Sequence, residues 1–311
     1  EDGDDNGVQM GGSGTMVMSP AIALGPGLVE PTGALENYQG GTQDDGPLDA
    51  QGDMTVDFGF FAPVSVGDTT WVDLNSNGRQ DALEPPLPGV KVTLFNAATN
   101  AMVTSDADGN AITGMTTTNA MGFYEFTNLS PGNYYVVFDI STAMNPEYYV
   151  LTTANQGPDT DDSDADPVTG QTAPTGFLPS GTRNPDMDAG VVCQVGANIT
   201  VMQVTTCSTR KIEISALGAS ITPNTLNGVW STSGTGMFIA ADQLTVNANF
   251  VQGGGGAAYY MPSPADIAAG GVTLTLTTNT PPVGVACPAA SDSVQVIIQR
   301  VDCGSFPWNG N

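Results

Sequence analysis

The sequence predicts an all-β protein built from tandem antiparallel β-sandwiches. Short alternating runs such as Val90–Phe95 and Tyr134–Phe138 recur about every ten residues, and Gly, Pro, Asn or Asp separates them. The 39 glycines and 22 prolines favour turns over helices. Because 311 residues are too many for one small sandwich, we expect two or three units.

The charge balance limits the classes of function that the chain can have. The chain has 32 acidic and 6 basic residues and a net charge of −26. Nucleic-acid binding is excluded, because it needs clusters of basic residues that this chain lacks. No apolar run is long enough to predict membrane insertion. Disorder is the alternative for an acidic chain, but the aliphatic strands argue against it for most of the length. Acidic turns neutralised by calcium predict an extracellular location, where calcium is about millimolar.

Residues 73–84 match every position of the twelve-residue EF-hand type of calcium loop. Gly78 stands at position six, where the chain must turn sharply. The expected ligands are the side chains of Asp73, Asn75, Asn77, Asp81 and Glu84 and the backbone carbonyl of Arg79. The alternative is an Asn/Asp-rich surface turn that fits by chance.

The flanks of this loop predict a structural calcium site instead of a sensor. A sensor loop lies between two helices that open on binding. Here Val64–Val72 is β-branched and alternating, which predicts a strand, and Pro85–Gly89 forbids a helix. Another strand begins at Val90. The loop is therefore expected to join two β-strands.

A second acidic run, Asp159–Asp166, predicts further calcium ions. Five carboxylates within eight residues repel one another unless something neutralises them, and the local sequence offers no lysine or arginine. Asp106 or Asp108 is a candidate additional ligand, and solvated surface charge is the alternative. The expected ligands are Asp159, Asp161, Asp162, Asp164 and Asp166.

Several motifs in order give residues 62–192 a resemblance to a known family. They are Gly67–Trp71, the calcium loop, Pro88–Leu94, Asn128–Tyr134, Asp162–Asp166 and Asp188–Gly190. This segment resembles the B-type repeat of serine-aspartate-rich surface adhesins, the SdrD B-like domain. The resemblance implies a prealbumin-like β-sandwich that several calcium ions stiffen and that serves as a stalk or spacer in cell-surface proteins.

Residues 1–61 resemble the second half of a preceding module of the same kind. Met54–Phe60 parallels Met187–Val192, and Val17–Leu24 predicts a strand. Because residue 1 begins in an acidic run, we expect a processed or excerpted chain. The missing half is then either upstream in a longer polypeptide or supplied by another subunit, which would give head-to-tail contacts and a filament. An extended, poorly packed arm is the alternative.

Residues 193–311 resemble the immunoglobulin-like repeats of secreted Bacteroidetes proteins, which implies a Greek-key sandwich. The motifs are Gly228–Gly236, Tyr260–Ile267, Val272–Thr278 and Ser291–Ile298.

The four cysteines, Cys193, Cys207, Cys287 and Cys303, all belong to this last segment. Without a CxxC pair or any histidine, a zinc site is not expected. An even number in a β-rich segment predicts two disulfides in an oxidising compartment, with buried thiols as the alternative. The resemblance to immunoglobulin-like repeats pairs Cys207 with Cys287, which leaves Cys193 with Cys303.

The functional hypothesis is a structural subunit or fragment of an extracellular fibre or stalk at the bacterial cell surface. A chain without histidine has no conventional catalytic triad, and its carboxylates fall in turns instead of one cleft, so we do not expect an enzyme. The expected partners are other copies of the chain or neighbouring modules of a longer surface protein. The alternative is an adhesin that binds a host or matrix ligand through its β-modules.

Overall fold

The structure is a computed structural model that describes residues 60–251 and 253–300, together with four two-residue strands nearer the N-terminus. Two hairpin-like pairs form there. They are β1 (Val8–Gln9) with β2 (Val17–Met18) and β3 (Asn37–Tyr38) with β4 (Gly41–Thr42). The half-module expected at residues 1–61 otherwise lies outside the described residues, as does the predicted strand Met54–Phe60 apart from its last residue.

Residues 60–193, called here the first β-unit, form two five-stranded sheets. The first sheet has the order β12-β10-β6-β7 with β8 on β6, and the second has the order β11-β14-β5-β13 with β9 on β5. The strands are β5 (Val64–Val72), β6 (Lys91–Asn96), β7 (Ala101–Met102), β8 (Met115–Thr117), β9 (Phe123–Leu129), β10 (Gly132–Asp139), β11 (Tyr149–Leu151), β12 (Phe177–Leu178), β13 (Arg183–Asn184) and β14 (Ala189–Cys193). Two short 3-10 turns, Ile140–Thr142 and Pro146–Tyr148, precede β11.

The core of this unit follows from the period-two pattern of its strands. Val92 and Leu94 of β6 are fully buried, while their neighbours along the strand are partly exposed. Val66 and Trp71 of β5 are also fully buried. Each such side chain contributes about 1.5–3 kcal/mol by leaving water. Alternation fixes the inner face of β6, whereas β5 is buried on both faces at its C-terminal end, residues 70–72.

Residues 194–300, the second β-unit, hold the remaining strands, the short α-helix α1 (Pro264–Ala269) and the 3-10 turn Ile214–Leu217. A five-stranded sheet has the order β16-β24-β23-β19-β21, a three-stranded sheet has the order β17-β22-β20, and β15 pairs with β18. The strands are β15 (Gly196–Ile199), β16 (Gln203–Cys207), β17 (Ile212–Glu213), β18 (Ala219–Thr222), β19 (Gly228–Thr232), β20 (Met237–Ile239), β21 (Asn249–Phe250), β22 (Tyr259–Met261), β23 (Gly271–Thr278) and β24 (Ser291–Gln299). No helix among the described residues is long and apolar enough to cross a membrane.

The expected fold class of β-sandwiches is confirmed, and within it each unit also contains parallel strand pairs. In the first unit, β14 runs parallel to β5, and β13 joins β5 in the same sense. In the second unit, β16 runs parallel to β24. An alternating sequence gives the period of a strand but not the direction of its neighbour, so the sequence could not separate the two cases.

A disulfide joins the two units. Cys193 at the end of β14 is bonded to Cys287, with 5.5 Å between the Cα atoms. The predicted pairing of Cys207 with Cys287 and Cys193 with Cys303 is therefore wrong. Cys207 is disulfide-bonded as well, and Cys303 lies outside the described residues. The predicted pairing fails because the loop that carries Cys287 reaches the edge of the first unit, where Cys193 of β14 pairs with Tyr149 of β11.

Candidate metal centre

Strand β5 delivers Asp73 to a buried position at the start of the predicted calcium loop. Asp73 is only 1% exposed, and its backbone N–H donates to the carbonyl of Val191 in β14 at 2.7 Å. Its carboxylate accepts hydrogen bonds from the Gly78 N–H at 2.8 Å and from the Thr152 hydroxyl at 2.6 Å. The first residue of the loop is thus fixed by segments far apart in sequence.

The remaining side chains close the loop from its two ends. The Glu84 carboxylate accepts from the backbone N–H groups of Leu74 at 2.8 Å and Asp81 at 3.0 Å. One oxygen of Asp81 accepts from the side-chain amides of Asn75 at 2.7 Å and Asn77 at 2.9 Å. The predicted side-chain ligands therefore gather in one turn of chain. Their donor set, carboxylate and amide oxygens with one backbone carbonyl, suits calcium.

Glycine is required at position 78 of this loop. Its φ of +77° lies in the left-handed region, and a Cβ there would come within 2.6 Å of the Thr153 carbonyl oxygen. The turn that the sequence pattern assigned to this position is present.

Three of the five residues predicted in the acidic run come together. Carboxylate oxygens of Asp159, Asp162 and Asp164 all lie within 4.8 Å of one another. Among the described residues no other trio of acidic or cysteine side chains reaches this spacing, so the carboxylates of the 73–84 loop stand farther apart. The trio fits a divalent cation because three like charges this close destabilise one another without one.

Asp162 provides the clearest sign of a missing partner. Its side chain is 2% exposed, and one oxygen accepts from the Gly157 N–H at 2.8 Å. The other oxygen, Oδ1, is buried and has no hydrogen-bond partner. An unpartnered carboxylate oxygen in the interior is costly, and a cation is the group that would satisfy it. The residues therefore fit calcium on an observation independent of the sequence pattern.

Asp188 extends the cluster from the neighbouring strand. Its N–H donates to the Asp164 carboxylate at 2.7 Å, and its own carboxylate accepts from the Thr69 N–H at 2.9 Å. Burial, reinforced by the nearby charges of Asp68 and Asp164, raises the pKa of Asp188 to about 9. Burial also raises the pKa of Asp164 to about 7, with Asp159, Asp162 and Asp186 adding to the effect. Both carboxyls are held where a negative charge is unfavourable.

Two other predicted ligands of the run lie elsewhere. Asp161 forms an ion pair with the Arg79 guanidinium at 2.6 Å, and the bond from Thr160 together with this pair lowers the pKa of Asp161. Asp166 instead accepts from the N–H groups of Val168 at 3.0 Å and Thr169 at 2.8 Å, which makes a local turn.

The candidate additional ligands Asp106 and Asp108 form a separate turn. Both of their carboxylates accept from the side-chain amide of Asn128, at 3.1 Å and 2.9 Å. Hydrogen bonds from Asn110 and Asn128 lower the pKa of Asp106 in spite of its desolvation.

The 73–84 loop and the acidic run lie side by side. Arg79 and Asp162 form an isolated antiparallel bridge, and the Ser163 N–H donates to the Gly78 carbonyl at 3.0 Å. The Gln80 N–H donates to the Asp161 carbonyl at 2.7 Å. Two candidate cation sites thus share one stretch of backbone.

Sequence reasoning missed Thr152 and did not assign Asp188 as a ligand. Thr152 carries no sequence signal, because only the fold brings its hydroxyl to Asp73. Asp188 was noted within a family motif, and its position just before the buried strand β14 was the signal that could have identified it.

These features define a class: a β-sandwich module whose turns present oxygen ligands at spacings that suit divalent cations. Residues 64–191 match the SdrD B-like domain family, and this segment is an SdrD B-like domain homologous to staphylococcal Sdr proteins. Domains of this family bind calcium in general, and they are structural domains without enzymatic activity. The resemblance of residues 62–192 to this family is confirmed, and so is the expectation that this domain is not an enzyme.

Two curated relatives illustrate the homology. Serine-aspartate repeat-containing protein F of Staphylococcus epidermidis is 42% identical over 118 residues, which cover 37% of this chain and 6% of the relative. Serine-aspartate repeat-containing protein E of Staphylococcus aureus is 38% identical over 153 residues, which cover 45% of this chain and 12% of the relative. The chain thus spans a small fraction of these proteins. The expected location at the bacterial cell surface is confirmed by this homology.

Among solved structures, the chain is similar to BcpA, the major pilin subunit of Bacillus cereus, at 14% identity and a TM-score of 0.25. The aligned part covers 77% of this chain and 69% of the pilin. The fold described above rests on the strand pairings of this chain and not on that similarity.

Proposed function

We propose that this chain is a load-bearing segment of an extracellular stalk or fibre, stiffened by calcium bound in the first β-unit. The proposed ligands are those of the 73–84 loop together with Asp159, Asp162, Asp164 and the adjoining Asp188. The proposed boundaries are residues 1–61, 62–192 and 193–311. Calcium would supply positive charge at turns where carboxylates crowd together.

The observation that carries the proposal is that the candidate sites tie together segments remote in sequence. Asp73 accepts from Thr152, and Asp188 joins Thr69 to Asp164. An ion held by these carboxylates would fasten the entering strand β5, the acidic run and the leaving strand β14 to one another. A cation in this position therefore resists separation of the ends of the unit.

The strand order supports a mechanical role. The chain enters the first unit through β5 and leaves it through β14, and these strands are parallel neighbours with Ala189 opposite Thr70 and Val191 opposite Val72. Pulling on the two ends moves the strands past one another, so their hydrogen bonds are loaded together instead of one at a time. This arrangement favours resistance to tension.

The buried tryptophans favour the stalk over the adhesin. An adhesive surface needs exposed aromatic or apolar groups. Trp71 is fully buried and Trp230 is 2% exposed, and the exposed aromatic residues in the described part of the chain are Phe60, Phe61 and Phe177. The proposed partners are accordingly neighbouring modules of a longer surface protein or further copies of the chain. Strand exchange through residues 1–61 lies outside the described residues and stays a prediction.

Single-molecule pulling on the full chain tests the proposal. The first unit is recognised by the roughly 420–460 Å that residues 64–193 release on unfolding. At about 1 mM calcium, near the extracellular concentration, its unfolding force should exceed the force measured in chelator. An equal force in both conditions would contradict calcium stiffening. The force that detaches strand β24 of the second unit serves as the internal control, because the proposed ligands all lie in the first.

A further inference from the structure

The Cys193–Cys287 bond connects two points that are 94 residues apart in sequence but 5.5 Å apart in space. Cys193 is the last residue of β14, and Cys287 lies in the segment between β23 and β24. Between them the chain forms β15 to β23 and α1. Nearly the whole second β-unit is therefore a covalent loop that starts and ends at one sulfur–sulfur bond.

The edge of the first unit holds both ends of this loop. Cys193 pairs with Tyr149 across β14 and β11, and the Tyr149 hydroxyl accepts from the Ala286 N–H at 3.3 Å. The Cys287 sulfur lies 3.7 Å from the Tyr148 carbonyl oxygen and is 6% exposed. The bond is thus buried in a contact between the units and is part of the way in which they join.

We propose that the Cys193–Cys287 bond carries tension past the second β-unit, so that residues 194–286 lie outside the load path. This inference rests on the proposed stalk function. Tension that leaves β14 passes from Cys193 directly to Cys287 and then into β24. The bypassed residues cannot lengthen the chain even when their strands separate. Only β24 and the few residues before it remain in the path, and peeling residues 287–300 adds roughly 45 Å.

The experiment compares the extension of two variants pulled between the chain termini in calcium. Because Cys207 is also disulfide-bonded, its bond would be a second shortcut, and both variants carry Cys207→Ser and Cys303→Ser. The first keeps Cys193 and Cys287. The second adds Cys193→Ser and Cys287→Ser. The second variant should gain roughly 310–340 Å of contour length over the first, since 94 residues enter the load path.

A full-length gain in the bond-intact variant, or equal extension of both variants when circular dichroism shows both folded, would overturn the proposal. If the four-serine variant does not fold, a second experiment pulls the bond-intact variant through attachment points inside the bypassed segment. These points are the exposed Met202 and Val283, so the bypassed segment is loaded directly. Its unfolding should release roughly 270–290 Å of contour length. No release there would mean that the segment resists tension by itself and that the bond is not the cause. A loss of calcium stiffening alone would leave this result unchanged, so the two proposals fail separately.

Discussion

Buried aspartates occur in both β-units, but they are satisfied in different ways. In the second unit, Asp266 is 2% exposed and its carboxylate accepts from the Thr235 N–H, the Ser263 N–H and the Tyr260 hydroxyl, at 2.8–2.9 Å. Burial alone would raise the pKa of Asp266, yet these hydrogen bonds hold it below its usual range. In the first unit, Asp162 is equally buried with an oxygen that has no partner.

The difference between Asp266 and Asp162 shows that buried acidic residues can have two different roles in a β-sandwich. The Asp266 carboxylate is complete within its own chain: it caps α1 and joins two loops. The carboxylates of the first unit are crowded, and burial raises the pKa of Asp188 to about 9. The first group is a finished hydrogen-bond network, whereas the second needs positive charge from outside the chain. The buried carboxylate of the second unit is thus satisfied by its own chain, whereas those of the first unit are the ones for which we propose bound calcium.

Removal of calcium by a chelator should produce the largest difference in thermal stability between the two units. At calcium about 100-fold above the dissociation constant, each bound ion stabilises the folded state by roughly 2.7 kcal/mol, so two ions contribute roughly 5 kcal/mol. Differential scanning calorimetry in calcium and in chelator should show a large fall in the transition temperature of the first unit and a small change in the second.

An unmoved first transition would show that the acidic turns are solvated surface charge. Glu84→Ala supplies the matched variant, because it removes the expected bidentate ligand of the 73–84 loop. Its first transition should fall by more in calcium than in chelator, because in chelator only the hydrogen bonds from the N–H groups of Leu74 and Asp81 are lost.

The matched variants Asp162→Asn and Asp266→Asn test whether the stability contributed by each buried aspartate depends on calcium. Asparagine at 162 keeps an acceptor for the Gly157 N–H but removes the charge, so the variant should lose roughly 2–3 kcal/mol in calcium and little in chelator. Asparagine at 266 turns an amide donor towards groups that already donate, which costs roughly 1–3 kcal/mol with or without calcium. Urea unfolding in both conditions measures the four values. Equal calcium dependence of the two variants would contradict the distinction.

Thr152→Val should weaken the first unit by roughly 1–2 kcal/mol, because the buried Asp73 carboxylate loses the hydroxyl that donates to it at 2.6 Å. Thr153→Val is the control, since Thr153 is the exposed neighbour and its hydroxyl makes no hydrogen bond among those described. Urea unfolding of both variants is the measurement. Similar losses would show that the effect comes from placing valine in this loop and not from the lost support of Asp73.

The sequence allowed much of this unit to be predicted, for identifiable reasons. Alternation fixed the inner face of β6, and the calcium-loop spacing located the turn at Gly78, because both signals are local. The partners of the acidic run were not predictable, since Arg79 meets Asp161 only through the bridge between two distant loops. The disulfide pairing failed for the same reason: no local pattern says that the loop of Cys287 reaches the first unit.

Arg79→Met should have the smallest effect, and it separates two roles of one residue. The Arg79 guanidinium pairs with Asp161, but the two side chains are 40% and 37% exposed, and surface pairs of this kind contribute roughly 0–1 kcal/mol. The expected calcium ligand is the backbone carbonyl, which methionine retains. Isothermal titration calorimetry should therefore show calcium binding close to that of the unaltered chain, and urea unfolding should show a loss below about 1 kcal/mol. A large loss of calcium affinity in Arg79→Met, but not in Lys91→Met, would mean that the Asp161 ion pair holds the two candidate sites together. Lys91 is the appropriate control, because it makes a comparably exposed ion pair with Asp139 at 2.9 Å.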